Sequence, residues 1–163
     1  MGFFSAAFTT RIARSTTFLI NNFTPMFDPF GDMPNVFTHL LNDNLINDSY
    51  VIGYMQGAMG YVFEVNNIKD SYDQNIAFSM FFDHIFGDHS IKKLTGNNGQ
   101  NTPSNPIFAN AVKLGYKEMS VGFINNNSKI NLSLREYISE KYNIVDEPDD
   151  MFKPPTNISR NLS

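Results

Sequence analysis

The sequence contains no cysteine and no tryptophan, and its acidic residues outnumber its basic ones. Without cysteine the chain has no disulfide, no thiolate metal site and no cysteine nucleophile, and it fits a reducing compartment. The 12 Lys and Arg against 16 Asp and Glu give a formal charge of −4. This balance argues against a nucleic-acid partner, because phosphates require a clustered basic surface.

A long hydrophobic run is also missing. The uncharged stretch from Ser49 to Phe63 would span about 22 Å as a helix, which is less than the roughly 30 Å hydrocarbon core of a bilayer. We therefore expect a soluble, cytoplasmic protein with no integral membrane span. The alternative location is mitochondrial, because the N-terminal segment carries Arg11 and Arg14 and no acidic residue before Asp28, a composition similar to a transit peptide. An ordinary amphipathic first helix explains the same residues.

Aromatic residues are abundant, with 16 Phe and 7 Tyr in 163 residues. A chain of this length suits one domain. Aromatic rings either fill its core or, if too many for one core, contribute to an interface with another protein.

Hydrophobic periodicity and helix-end signals predict an all-α fold. We predict a single-domain bundle of about six helices within residues 1–145, followed by an extended C-terminal tail at 146–163. The predicted helices cover residues 3–21, 35–46, 49–65, 72–86, 106–123 and 134–142. The alternative is an α+β fold with a β-hairpin at 50–65, where aromatic and β-branched residues are enriched.

An internal repeat emerges when the chain is shifted by 62 residues against itself. IGYMQGAMGYV, at 52–62, then aligns with LGYKEMSVGFI, at 114–124, and the same register aligns Ser71 with Ser133. Each serine begins a pattern typical of a helix capping box. The sequence thus predicts two pseudo-repeated helical hairpins.

The glycines of these two segments lie on one face if the segments are helical. The GxxxGxxG spacing of the first segment differs from that of a dinucleotide-binding loop. Three interior glycines lower helix stability by about 2.5–3 kcal/mol relative to alanine, and close helix packing could offset this cost. We therefore predict a helix-packing seam formed by Gly53, Gly57, Gly60, Gly115 and Gly122.

The most concentrated group of ionisable residues is FFDHIFGDH, at 81–89. His84 and Asp88 have the i, i+4 spacing of metal ligands on a helix, and a neighbouring helix could add Glu64 or Glu118. A core histidine is the simpler interpretation, and Gly87 is expected to end the helix before Asp88. We assign no catalytic residue, because no nucleophile motif is present, and we expect no cofactor.

These features favour a non-enzymatic protein–protein interaction module, such as an adaptor, a small chaperone or a subunit of a larger assembly. Its partner would be another protein or a second copy of the chain. The predicted partner-binding residues are Phe3, Phe4, Phe8 and Phe152, the last within a docking tail. One alternative is a small metal-binding protein or enzyme that uses Asp83, His84 and Asp88. A weaker alternative is a subunit of an organellar membrane complex.

Overall fold

The computed structural model describes residues 3–27, 44–87, 90, 92, 94, 101–125 and 132–142. Side chains are described at positions 10–24, 44–87, 90, 92, 94, 101–122 and 133–142. In these ranges the structure contains five α-helices and no strand. The helices are α1 (Phe3–Phe27), α2 (Ser49–Val65), α3 (Ser71–Phe86), α4 (Pro106–Asn125) and α5 (Leu132–Tyr142).

The predicted all-α class is confirmed, and the alternative β-hairpin at 50–65 is wrong because these residues form α2. Helix α2 is buried over most of its surface, so its apolar residues are not confined to one stripe. A helix buried on nearly all sides is rich in large apolar residues, and periodicity alone cannot distinguish it from a strand. The predicted helix at 35–46 lies outside the described residues except for its last three positions.

Local hydrogen bonds determine both ends of α2. Asp48 caps its first turn, where Oδ1 accepts from the backbone N–H of Tyr50 at 2.9 Å and of Val51 at 3.3 Å. These bonds satisfy amides that have no partner within the helix. At the other end, the Asn66 side chain donates to the Val62 carbonyl at 2.8 Å. Asn67 then adopts a positive φ of 56°, and the helix cannot continue.

Helix α3 packs mainly against α1. The contact is aromatic: the Phe23 ring of α1 meets the Phe81 ring edge-on at 5.4 Å between centroids. Phe23 also contacts the Tyr54 ring of α2 at 6.5 Å, so one phenylalanine joins three helices. Helix α3 ends at Gly87, whose φ of +87° favours glycine. Aromatic side chains therefore form much of the described core.

The chain divides into two compact units, Met1–Leu132 and Ser133–Ser163. The second unit contains nearly all of α5, in which Lys141 Nζ donates to the Tyr137 hydroxyl at 2.8 Å. This i, i+4 pair stabilises one turn of the helix. The predicted tail at 146–163 lies outside the described residues.

Among the helices in the described ranges, none combines the length and the hydropathy needed to cross a bilayer.

Candidate functional site

Helices α2 and α4 form the most extensive helix–helix contact in the first unit. At the beginning of both helices, Asn105 Nδ2 donates to Ser49 Oγ at 3.3 Å. Towards the end of α2, the Tyr116 hydroxyl donates to Glu64 Oε2 at 2.5 Å. Residue numbers thus increase together along the contact, and the two helices run parallel.

Three glycines allow the two backbones to meet. A Cβ placed on Gly57 would overlap the Val112 carbonyl, and one placed on Gly115 would overlap the Tyr54 carbonyl. At Gly53 the added atom would lie 2.6 Å from the Phe108 carbonyl oxygen. The obstructing atoms belong to backbone, which cannot rotate away as the end of a flexible side chain can. These three positions therefore require glycine at the observed helix separation.

The remaining two predicted seam glycines are placed differently. Gly60 is exposed, and the atom nearest to an added Cβ would be Tyr116 Cδ2 at 3.9 Å, an ordinary van der Waals distance. Gly60 thus lies at the edge of the contact and does not touch the α4 backbone. Gly122 is buried in α4.

A buried tyrosine connects α2 to α4 beside these glycines. The Tyr54 side chain is fully buried, and its hydroxyl donates to Glu118 Oε2 at 2.5 Å. Burial raises the pKa of Tyr54 above its usual value, and the hydrogen bond to Glu118 raises this pKa further. The pair therefore retains the phenol proton and gives a half-buried carboxylate a donor.

A second tyrosine–glutamate hydrogen bond connects the helices, with the donor on α4 and the acceptor on α2. Tyr116 of α4 donates to Glu64 of α2 at a more exposed position, and its ring meets Tyr61 edge-on at 5.5 Å. The hydrogen bond to Glu64 raises the pKa of Tyr116, and partial burial adds to the effect. Each helix thus supplies one phenol and one carboxylate to the contact.

The sequence predictions did not include these two hydrogen bonds. The 62-residue shift aligns Tyr54 with Tyr116, and Glu64 and Glu118 lie on the predicted glycine faces. The available signal for these hydrogen bonds was the presence of tyrosines and glutamates on or beside the glycine faces that the sequence predicts to pack.

The predicted metal ligands have other surroundings. Glu64 and Glu118 accept the two tyrosine hydrogen bonds, and His84 is exposed. Asp83 accepts from the Ser90 amide at 3.1 Å and from the Ser90 hydroxyl at 2.7 Å. Asp88 lies outside the described residues. Within the ranges that the structure describes, no three His, Asp or Glu side chains are grouped closely enough to hold a metal ion.

Three of the four predicted partner-binding phenylalanines lie in α1. Phe3, Phe4 and Phe8 belong to the α1 backbone, but their side chains and all of Phe152 lie outside the described residues.

The outer face of α4 exposes aliphatic side chains. Ile107 is 58% exposed and Val121 is 48% exposed, and half-buried Leu114 lies midway between them in the sequence. Lys113 and Lys117 are exposed on the same helix. A seven-residue spacing is nearly two helical turns, so the three aliphatic residues form one stripe.

No protein-family model matches the chain, no characterised protein is significantly similar to it, and no solved structure matches it significantly.

Proposed function

We propose that this chain is a non-enzymatic protein–protein interaction module whose binding surface is the outer face of α4. The observation that carries the proposal is the exposed stripe of Ile107, Leu114 and Val121, flanked by lysines. Scattered exposed apolar residues are normal, whereas a regular stripe along one helix is typical of helix–helix recognition.

The charges of α4 favour one kind of partner. Lys113 and Lys117 are exposed beside the aliphatic stripe, and the only acidic residue of α4, Glu118, accepts from Tyr54 of α2. A partner helix with aliphatic residues at seven-residue spacing and acidic residues beside them would complement this face. We therefore propose an acidic amphipathic helix of another protein as the occupant.

The contact between α2 and α4 supports this role. Backbone contact at Gly57 and Gly115 and the two tyrosine–glutamate bonds hold α4 on the rest of the unit. A helix held in this way loses little conformational freedom when a partner binds its other face. Such a module could serve an adaptor, a small chaperone or a subunit of a larger assembly.

Site-specific photo-crosslinking tests this proposal. A crosslinking amino acid at position 107 or 121 of the full chain should capture a partner in extract from the source organism. The captured peptide should map to an acidic amphipathic helix. The matched control is position 72 on α3, where Tyr72 is 71% exposed and should give little of this product.

Charge reversal provides a second measurement. Lys113→Glu together with Lys117→Glu should reduce the yield from position 121 about tenfold, because charge pairs adjust affinity and on-rate. Equal yields from positions 72 and 107 would contradict the proposal. Capture of a second copy of this chain, or of a partner surface without an acidic helix, would also contradict it.

We also propose that the 62-residue repeat reflects a duplication and that the complete chain has about six helices. Both copies of the glycine-bearing segment lie in helices, α2 and α4, and the aligned serines lie at the beginning of α3 and α5. The copies have diverged at the contact, because the repeat aligns Gly57 with Met119. Homologous sequences in which 52–62 and 114–124 are more alike would support the duplication, and homologues in which they are less alike would oppose it.

A further inference from the structure

A solvent-open cavity of about 400 Å³ lies between α2 and α3, on a different surface from the outer face of α4, and Gly60 and Asn75 in its lining are exposed. Its volume lies within the roughly 300–1,000 Å³ range of small-molecule sites. Four residues of α2 and three of α3 line it: Gln56, Met59, Gly60, Phe63, Gln74, Asn75 and Phe78.

The lining combines carboxamides with aromatic rings and contains no ionisable side chain. The Gln56 and Asn75 amides make no hydrogen bond to another described residue. Gln74 donates from Nε2 to the Ile68 carbonyl at 2.8 Å, which orients its carboxamide and leaves Oε1 as an acceptor. The carboxamides of Gln56 and Asn75 can each donate one hydrogen bond to a ligand and accept another from it.

The apolar part of the cavity consists of two rings and a thioether. Met59 and Phe63 are buried, and the half-buried Phe78 ring stacks on Phe82 at 4.3 Å between centroids. This stacking contact supports one face of the Phe78 ring. A planar ligand can pack against such rings, because offset and edge-to-face arrangements are both favourable for aromatic pairs.

Gly60 contributes to the cavity at a position where helix packing does not require glycine. An added Cβ would meet its nearest neighbour, Tyr116 Cδ2, at 3.9 Å. Glycine lowers helix propensity relative to alanine, and Gly60 gains no close backbone contact in return. The Gly60 backbone therefore lines the cavity without a side chain of its own.

We propose that this cavity binds a neutral, planar ring that carries an amide group. The ring packs against Phe63 and Phe78, and the amide exchanges hydrogen bonds with Gln56 and Asn75. A charged ligand is disfavoured because its desolvation has no compensating ion in the lining. A purely apolar ring is disfavoured because it covers the half-buried Gln56 carboxamide without offering it a hydrogen bond.

Three probes of one shape distinguish these requirements: benzamide, benzoate and toluene. Binding to the full-length protein is followed by chemical shifts of backbone and side-chain amides in two-dimensional NMR. Benzamide should give saturable shifts centred on Gly60 and Phe63, with a Kd of about 1–10 mM, as befits so small a ligand. Benzoate and toluene should bind at least about tenfold more weakly.

Substitutions locate the site. Gln56→Leu and Asn75→Leu should each weaken benzamide binding about fivefold or more by removing a hydrogen-bonding group. Asn110→Leu is the matched control, because Asn110 is an exposed helical asparagine that does not line the cavity. A thermal melt verifies that each variant is folded. If only one of Gln56→Leu and Asn75→Leu folds, that variant is sufficient for the test.

Three outcomes would overturn the proposal. The first is the absence of saturable shifts up to about 20 mM benzamide, beyond the range expected for a ligand of this size. The second is equal binding of all three probes. The third is an equal effect of Asn75→Leu and Asn110→Leu.

Discussion

Gly115 of α4 lies directly against the peptide carbonyl of Tyr54 in α2. A Cβ added to Gly115 would overlap the backbone carbonyl oxygen of Tyr54 and would lie 2.8 Å from the carbonyl carbon. Both atoms are backbone, so a side chain at position 115 can be accommodated only if the helices separate. The absence of a side chain at this residue therefore sets the distance between α2 and α4.

The first prediction is that Gly115→Ala and Gly57→Ala destabilise the fold. Each alanine would raise local helix propensity by about 1 kcal/mol. Each would also overlap backbone of the facing helix, and overpacking of this kind typically costs about 1–3 kcal/mol or more. We expect a net loss of about 1–2 kcal/mol in the free energy of unfolding, measured by urea denaturation.

Gly60→Ala is the matched control for this prediction. The same substitution on the same helix as Gly57 meets no atom closer than 3.9 Å. It should stabilise the protein by up to about 1 kcal/mol through helix propensity and the unfolded state. The close approach of α2 and α4 would be disproved by Gly115→Ala and Gly60→Ala shifting stability in the same direction.

The second prediction concerns the hydroxyl of Tyr54. Tyr54→Phe removes the donor to Glu118 and leaves a half-buried carboxylate without it. We expect a loss of about 1–3 kcal/mol, in the range for removal of one hydrogen bond to a charged group. Tyr116→Phe removes the equivalent bond to Glu64 at an exposed position, where water replaces the donor, and should have a smaller effect.

A double-mutant cycle isolates the Tyr54–Glu118 interaction. Stabilities of Tyr54→Phe, Glu118→Gln and the double variant are compared with that of the parent protein. The two single losses should add up to more than the loss in the double variant. Additive losses would mean that the two side chains do not interact.

The third prediction is a decline in stability at alkaline pH that depends on Tyr54. Its pKa in the folded protein is raised, chiefly by burial. The folded state therefore holds the phenol proton more tightly than the unfolded state, in which tyrosine titrates near pH ~10. The stabilisation is fully present below about pH 10 and decreases as the pH rises above it, by up to about 1.4 kcal/mol per pH unit.

Urea denaturation between neutral and alkaline pH measures this dependence. Tyr116 contributes in the same direction, because its pKa is also raised. Tyr54→Phe should flatten the alkaline decline without changing its direction. An identical decline in the parent and the variant would show that Tyr54 has no part in it.

The boundaries of four helices could be predicted closely because local signals determine them. Helices α2, α3, α4 and α5 begin and end within two residues of the predicted positions. Gly87 ends α3 as expected, and its positive φ supplies the physical reason.

Helix α1 shows where local signals fail. It was predicted to end near residue 21, before Pro25, but it continues to Phe27. Asn22 bonds the Phe18 carbonyl at 2.8 Å, and Phe23 is fully buried against Phe81. Tertiary packing thus outweighs the local residues that usually end a helix. The tyrosine–glutamate pairs were missed for a related reason, since they depend on how α2 and α4 align, which periodicity within either helix does not specify.

The beginning of α3 yields the fourth prediction, because the structure assigns its cap to a different residue from the one expected. The sequence predicted a capping box that begins at Ser71. In the structure Asp70 is the cap, and its Oδ1 accepts from the Tyr72 amide at 2.8 Å and the Asp73 amide at 3.4 Å. A carboxylate also interacts favourably with the positive end of the helix dipole, which a hydroxyl cannot do as strongly.

Asp70→Ala should therefore lower the free energy of unfolding by about 1 kcal/mol, the typical value for loss of an N-cap. Ser71→Ala should leave it nearly unchanged, because Ser71 is exposed and is the first residue within the helix. Asp70→Asn should retain most of the stability, since an asparagine oxygen can accept the same amides. Thermal melts of the three variants at one pH provide the comparison. A larger loss for Ser71→Ala than for Asp70→Ala would restore the serine as the cap and shift the beginning of α3 by one residue.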